Sequence, residues 1–512
     1  MELRRLIETL DIRPADGSVP ESTLGVRISD LTDDSRTVLP GSLFVARPGV
    51  SDDGRKYIDQ AVRDGAVAVL TDQVGAKLVD GAEAVALVAD DVALAAAQLA
   101  ERFHGNPTQK LKLVGVTGTN GKTTVVHLLH GIMNAAGVRT GMVGTVEIDD
   151  GRETAKAEMT TPPAIELSRT FATMVDAGCK AAVIEASSHA LDQGRVAGLA
   201  FDIGVFTTLG TDHMDYHADR DAYLKAKRRL FGLLNEEGVA IVNADDHACE
   251  EIISGCKARI VRTSMDKGDW TVCVLAREID GIRVRIEGPI GAIEVGLPMM
   301  GDHNAMNLLQ AVAVAHELGV EAEAIVAGLT HPKIPKGRLE RVPGTGDVHV
   351  FVDFAHTPDA LERTLREMRR SMEESKHAGR LWVVFGCGGN KDKTKRPVMG
   401  KIAGELADRV VITSDNPRTE SPEAIVREVF EGVEPARRAD VSQIPDRAEA
   451  IVRAVGDAEP GDVVVIAGTG LCASLMMYRS RRRACAAGWM CNEFLHTRID
   501  PRSHRRDVPR QG

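Results

Sequence analysis

Long apolar runs are missing from this chain. No stretch approaches 18 uninterrupted apolar residues, and the opening "MELRRLIETLDI" has no apolar core of a secretory leader. Neither membrane spanning nor secretion is expected, so the chain reads as cytoplasmic. Cysteine is sparse: 8 in 512 residues, with no C-x-x-C pair, offer no disulfide framework and no metal-like pair, and most read as small core residues. A positive balance is absent too. The net charge of -11 gives no global reason to expect nucleic acid or an anionic membrane surface as partner, which leaves small-molecule work as the better expectation. Internal repeats and low-complexity linkers are also lacking.

What is present is a recurring α/β pattern, in a chain long enough for roughly three domains of about 150 residues. Residues 1–108 hold β-like runs, "GSLFVARPG" and "GAVAVLTD", and an alanine-rich helical pattern, "DDVALAAAQLAERFHG", that stops at Gly105 and Pro107. Residues 109–332 alternate buried-type strands ("LKLVGVTG", "KAAVIEAS", "DIGVFTTLG", "GVAIVNADD") with helices, which predicts a doubly wound, mostly parallel sheet. A third run, 333–478, carries "VHVFVDFAH", "GRLWVVFGCGGN", "ADRVVITSDNPR" and "GDVVVIAGTG". Each ends in a loop bearing Gly, Asn or His, where open α/β sheets bind ligands. Residues 479–512 read as an atypical basic tail with little order.

The stretch "GVTGTNGKTTVVHLL" joins an apolar strand to an amphipathic helix through two glycines and a lysine. Phosphates require such a loop: backbone N–H groups at a helix N-terminus, glycines that allow close approach, and one cation. The strict pattern wants glycine at position 116, which is valine, and Gly118 serves instead in a shortened loop. Gly118, Thr119, Asn120, Gly121, Lys122, Thr123 and Thr124 are the predicted nucleotide loop. Lys122 would meet the β- and γ-phosphates, and the Thr123 hydroxyl would ligate Mg²⁺.

A second cluster follows the next strands. "VIEASSHAL" sets Glu185 past one strand end, and "TLGTDHMDYH" sets Asp212, His213, Asp215 and His217 past another, a combination suited to a divalent metal beside phosphates. The helical "DAYLKAKRRLFGLL" then presents Lys225, Lys227, Arg228 and Arg229, which on residue chemistry alone read as a solvated basic face.

"TGTNGKTT", "EASSHAL", "DHMDYH" followed by "YLKAKRRLF", "GDHNAMN", "GRLERV" and "DFAHTPDAL" resemble, in order and spacing, the Mur ligases of peptidoglycan synthesis across roughly residues 28–470. "DDSR", "GCGGNKDKTKRP" and "SDNPRTESP" resemble the branch of that family that adds diaminopimelate. The resemblance implies a three-domain α/β architecture: a UDP-substrate domain, a central P-loop ATPase with a mostly parallel sheet, and a C-terminal Rossmann-like domain for the amino acid. It implies that Lys227, in the Y-x-x-A-K-x-x-L-F pattern, is carbamylated into an anionic metal ligand, while Lys225 has no such match. Glu185 and His213 then complete a second Mg²⁺ site beside that of Thr123, giving two ions.

Residue roles carry over in the same way. Ser35, Thr160, Thr161, Ser187, Gln193 and Arg195 fall where the family holds UDP-N-acetylmuramoyl-L-alanyl-D-glutamate. Asn304, Arg338, Asp353 and His356 fall where it faces ATP. Lys391, Asp415, Asn416, Pro417, Arg418 and Gly468 fall at the site for meso-diaminopimelate, where Arg418 can grip the second carboxylate bidentately. The implied reaction is ATP-dependent amide formation through an acyl phosphate, with Lys122, Lys227 and His356 in catalytic roles, by a monomer without nucleic-acid or membrane partners. An LL-diaminopimelate enzyme could carry similar residues, and L-lysine, which lacks the second carboxylate, stays as an alternative amine. Folylpolyglutamate synthetases share the ATPase core, but "DDSR" with "DNPR" speaks against them.

Three departures stand out. Asn390, Lys391 and Asp392 replace an acidic-Arg-Asp run, keeping charge at Lys391 but losing the guanidinium fork. Thr208 and Thr211 stand where the family usually has Asn and Arg. The family's A-G-K-G-H-E is here Ala467, Gly468, Thr469, Gly470, Leu471 and Cys472, followed by an arginine-rich tail. That abrupt change suits a shifted reading frame better than a functional basic extension, and it leaves open a nucleotide-binding protein inactive through its altered end.

Overall fold

Five of the six residues of Lys112–Thr117 are buried, and a strand hidden on both faces belongs inside a sheet covered on both sides. The structure, a computed structural model, describes residues 1–15, 24–49, 52–79, 84–210, 212–213 and 216–468; Thr211, Asp215, residues 469–472 and the 479–512 tail lie outside these. Two compact units form, Met1–Lys336 and a second that starts at Gly337.

The first unit holds two sheets. Strands β1 (Arg13–Pro14), β2 (Asp30–Thr32), β3 (Ser42–Val45), β4 (Ala68–Thr71) and β5 (Val85–Val88) lie in the order β1-β5-β4-β3-β2. Helix α1 (Val92–Phe103) covers this sheet, packing Ala95, Ala96, Leu99 and Ala100 with Leu43, Leu70 and Leu87. Asp91 caps its start by accepting from Leu94 N–H, and Gly105, at φ +79°, lets the chain leave.

The second sheet has eleven strands: β6 (Lys112–Thr117), β7 (Thr140–Val143), β8 (Glu147–Asp149), β9 (Thr154–Lys156), β10 (Ala181–Glu185), β11 (Phe201–Phe206), β12 (Leu234–Asn243), β13 (Arg259–Ser264), β14 (Trp270–Glu278), β15 (Gly281–Gly288) and β16 (Gly291–Leu297). Their order is β16-β15-β14-β13-β12-β11-β6-β10-β7-β8-β9, parallel from β14 to β7 and antiparallel at both margins. Alternation along β6 sends Val114 and Val116 to one core with Leu129 and Leu308, and Leu113 to the other with Phe171 and Phe201. Helices α2 (Lys122–Ala135), α3 (Arg220–Gly232) and α4 (Asp302–Glu317) flank the sheet.

The second unit contains β17 (Glu340–Arg341), β18 (His349–Asp353), β19 (Leu381–Cys387), β20 (Arg409–Ser414), β21 (Val441–Gln443) and β22 (Val463–Ala467) in the order β17-β18-β22-β19-β20-β21, parallel except for β17. Helices α5 (Pro358–Glu374), α6 (Lys395–Leu406), α7 (Pro422–Glu431) and α8 (Arg447–Asp457) accompany it. Among the described residues, no helix is long and apolar enough to cross a membrane.

Helix α2 buries two histidines. His127 donates from Nδ1 to the Thr123 carbonyl (2.8 Å), and its Nε2 lies 3.7 Å from Glu147. His130 accepts from Lys333 Nζ at Nδ1 (3.3 Å), with Nε2 3.2 Å from Asp149. Burial, reinforced by Lys333, pushes the His130 pKa from 6.5 to about 4, and burial lowers that of His127 as well. Because the folded value is the lower one, the unfolded chain binds more protons between pH 6.5 and 4, so this stability is complete above 6.5 and is lost as pH falls. Thermal unfolding of the full chain should shift to lower temperature across that window, and His130→Gln should flatten the slope; an unchanged slope would contradict the assignment.

Candidate active site

Parallel pairing gathers the loops. Val116 stands opposite Glu185 on β10, and Thr117 opposite Phe206 on β11, so the segments after β6, β10 and β11 leave one edge together. Gly118 has φ +148°, and a Cβ there would sit 1.9 Å from Thr207 Oγ1; Gly121 has φ +87°, and a Cβ there would lie 2.4 Å from Asn307 Oδ1. Thr207 donates to the Asn120 carbonyl (2.5 Å), and Thr119 N–H donates to the Thr208 carbonyl (2.7 Å). Thr208 itself donates to Asp246 (2.7 Å), which accommodates the departure at that position. Lys122 folds back over the loop, donating to the carbonyls of Gly118 (2.8 Å) and Thr119 (3.0 Å). Thr124 is buried on α2, and Asn304 reaches the loop through Asn307, from which it accepts (3.0 Å).

The solvated-face reading of α3 fails at one residue. Lys225 and Arg229 are exposed and Arg228 half-buried, but Lys227 is 1% exposed, with Nζ donating to the Gly118 carbonyl (2.8 Å) and 4.3 Å from the Tyr223 ring centroid. Burial, with Lys122 adding repulsion and Asp212 opposing, holds its pKa well below the ordinary lysine range. Helical phase explains the difference: 223, 226, 227 and 230 share the face turned to the sheet.

Tyr223 ties this region together. Its hydroxyl shares a 3.0 Å hydrogen bond with Thr119, and its ring meets His213 at 6.3 Å and His217 at 5.2 Å. His213, at φ +56°, also packs edge-on against His189 (4.7 Å), and Asp212 is exposed. The described residues contain no group of three or more His, Cys, Asp or Glu able to hold a metal; after β11 the rings of His213 and His217 pack with those of His189 and Tyr223.

Glu185 is fully buried and reached by neutral donors: the Thr123 hydroxyl (3.1 Å), Thr145 N–H (2.8 Å) and the Thr145 hydroxyl (3.0 Å). From it a polar network spreads. Thr145 meets Thr160 (3.1 Å), and Thr161 donates to the Glu185 backbone carbonyl (2.6 Å) and to Ser187 Oγ (3.2 Å). Arg195 donates to the Thr161 carbonyl (2.7 Å) and to Gln193 Oε1 (2.8 Å), and it shares a narrow cleft with Asp33 and Arg47. Ser35, two residues beyond Asp33, is buried in a 3₁₀ turn capped by Asp34. Thr145, Thr207, Tyr223 and Asn307 were missed from sequence. Tyr223 and Asn307 lie inside quoted motifs and Thr207 at the end of the quoted strand "DIGVFTTLG"; Thr145 carries no local signal.

In the second unit the candidate residues share the carboxyl edge of one parallel sheet. Asp353, at the end of β18, accepts from Leu339 N–H (2.9 Å), Ala355 N–H (2.9 Å) and Thr364 (3.2 Å). Arg338 and His356 are exposed, and His356 Nδ1 donates to the Phe354 carbonyl (2.7 Å), leaving the lone pair of the neutral ring on Nε2. Gly468, after β22, donates to the Asp353 carbonyl (3.0 Å). The loops after β19 and β20 are joined: Gly389 N–H donates to the Asn416 carbonyl (2.8 Å), and Arg418 Nη1 donates to the Gly389 carbonyl (2.8 Å). A Cβ at Gly389 would lie 1.9 Å from the Pro417 carbonyl. Asp415 is half-buried, while Lys391 and Arg418 are exposed.

Three family models match in succession: a Mur ligase family catalytic domain over residues 27–104, a Mur ligase middle domain over 116–315, and a Mur ligase glutamate ligase domain over 337–470. The chain is 42% identical over 455 residues to the UDP-N-acetylmuramoyl-L-alanyl-D-glutamate–2,6-diaminopimelate ligase of Synechococcus elongatus, covering 88% of this chain and 90% of the relative. A solved structure bearing the same enzyme name superposes with a TM-score of 0.70 at 28% identity over 95% of this chain and 99% of that one. The MurF ligase of Thermotoga maritima in complex with ADP shares the fold at a TM-score of 0.58 and 18% identity, over 91% and 98% of the two chains.

Gly118→Ala tests the loop directly. The left-handed backbone and the Thr207 contact both oppose a methyl group, so nucleotide affinity by calorimetry should fall on the order of a hundredfold. Affinity equal to the parent's would contradict the loop geometry.

Proposed function

The chain belongs to the Mur ligase family of ATP-dependent ligases, and on that premise we propose that it joins meso-2,6-diaminopimelate to the γ-carboxyl of UDP-N-acetylmuramoyl-L-alanyl-D-glutamate. The observation that carries the choice of amino acid is the joined rim of the loops after β19 and β20, which presents Arg418 at the carboxyl edge of the sheet. Diaminopimelate carries a second carboxylate, and a guanidinium is suited to it.

A carboxylate resists amine attack because its leaving group would be oxide. In the proposed sequence a γ-carboxylate oxygen of D-glutamate attacks the terminal phosphorus of ATP, releasing ADP and leaving an acyl phosphate. The amine nitrogen then attacks the acyl carbon, phosphate departs, and the nitrogen loses a proton. Lys122 and the N–H groups of the 118–124 loop oppose the charge on the transferred group. With Nδ1 donating to the Phe354 carbonyl, Nε2 of His356 is the ring atom left to take the amine proton.

Burial beside Lys122 favours the neutral Lys227 amine, the form that adds CO₂ and gives up a proton to become a carbamate. Glu185 fits a divalent cation, being a fully buried carboxylate whose surrounding donors are all neutral. Thr123, Glu185, His213 and carbamylated Lys227 would hold two Mg²⁺, which when bound neutralise phosphate charge. In this reading residues 1–108 and the network of Thr160, Thr161, Ser187, Gln193 and Arg195 take the UDP substrate, 109–332 take ATP, and 333–478 take the amino acid. The enzyme works as a cytoplasmic monomer.

Three variants separate this reading from others. Lys227→Ala should be folded yet nearly inactive, and short-chain carboxylates should restore part of the rate, while Lys225→Ala should change little; an active Lys227→Ala would return the residue to a structural role. Arg418→Ala should raise KM for diaminopimelate roughly tenfold to hundredfold with a smaller effect on ATP and UDP-substrate. An unmoved KM would misplace the amino-acid site, and lysine would then be the amine to try.

A further inference from the structure

The run "KDKTKRP" contributes a side chain with no assigned role. Arg396, in the first turn of α6, is completely buried. Its Nη1 donates to Glu420 Oε2 (3.0 Å) and Glu428 Oε2 (2.7 Å), and its Nη2 donates to Glu420 Oε1 (3.0 Å) and the Gly388 carbonyl (3.2 Å). Glu420 is thus gripped by both arms of one guanidinium, and its Oε1 also accepts from Asn390 N–H (2.5 Å). Thr419 reaches Asn390 Oδ1 (3.0 Å). These bonds span the two loops that carry Lys391 and Arg418. Both loops take a left-handed residue, Asn390 at φ +52° and Arg418 at φ +51°, so their shape is not the backbone's default and needs an external hold.

We propose that Arg396 and Glu420 are positioning residues for amino-acid selection: their two-armed pair, buried on the arginine side, fixes the loop after β19 against the loop after β20, and thereby sets the separation of Lys391 and Arg418. This rests on the function proposed above. Neither residue touches the amino acid. Charge on Glu420 is available throughout the working range, because Arg396, the Asn390 N–H and Lys393 hold its pKa down at about 2. Glu428 supplies the contrast, since it meets the same guanidinium from α7, outside both loops.

The test compares Glu420→Gln, Arg396→Lys and Glu428→Gln in the full-length enzyme, measuring KM for all three substrates and amide exchange at Gly389 and Asn390. Glutamine keeps the shape but turns an N–H₂ toward a donor, and lysine keeps the charge but cannot fork. Glu420→Gln should raise KM for diaminopimelate about tenfold, leave those for ATP and UDP-substrate within about twofold, and speed exchange at Asn390. Arg396→Lys should follow the same pattern, and Glu428→Gln should match the parent. A parallel rise in all three KM values, or Glu428→Gln behaving like Glu420→Gln, would reduce the pair to general stability and overturn the proposal. A parent enzyme that ligates no amino acid contradicts the proposed function and removes this role with it; parent turnover with an unmoved diaminopimelate KM in Glu420→Gln overturns the brace alone.

Discussion

The parallel pairing of β6 between β10 and β11 is the constraint on which the site depends. Its register brings Thr117, Glu185 and Phe206 to one edge, so the 118–124 loop, the buried carboxylate and the Thr207 hydroxyl meet without long side chains having to search for each other. Gly118 and Gly121 follow from that proximity, since neighbouring side chains already occupy the space a Cβ would need. A slip of one residue would turn Val114 and Val116 toward the opposite core and pull the loop away from its partners.

Electrostatics then act on what the register assembled. Lys122 and Lys227 both donate to the Gly118 carbonyl, and burial of the second makes its charged form costly. A few ångströms of sheet edge therefore hold a cationic lysine suited to phosphate, a lysine driven toward its neutral amine, and a carboxylate sealed among hydroxyls. Each suits a different task in moving a phosphoryl group onto a carboxylate.

Much of this was legible in the sequence because it is local. A glycine-lysine turn between an apolar strand and a helix reads as a phosphate loop at sight, and the buried strands of all three sheets stand out as apolar runs. The antiparallel margin β14 to β16 escaped, because its alternating burial over half-exposed strands gives a weaker signal than a continuous run. Lys227 lay beyond residue chemistry: charge on a helix suggests solvent, and only the phase shared with Tyr223, Ala226 and Leu230 turns it inward. Thr145 and Arg396 were invisible for another reason. Their roles come from partners 40 and 24 residues away, Glu185 and Glu420, and no local spacing encodes such contacts.

The central claim is that phosphoryl transfer at the β6 edge is coupled to amide formation with diaminopimelate. The most direct measurement is ADP release by the purified chain in a matrix that omits each substrate in turn, with the product identified by mass. Sustained release that needs both UDP-N-acetylmuramoyl-L-alanyl-D-glutamate and meso-diaminopimelate, with a product heavier by one diaminopimelate less one water, is the predicted result. Sustained release that ignores diaminopimelate, or that yields no amide, would contradict the account.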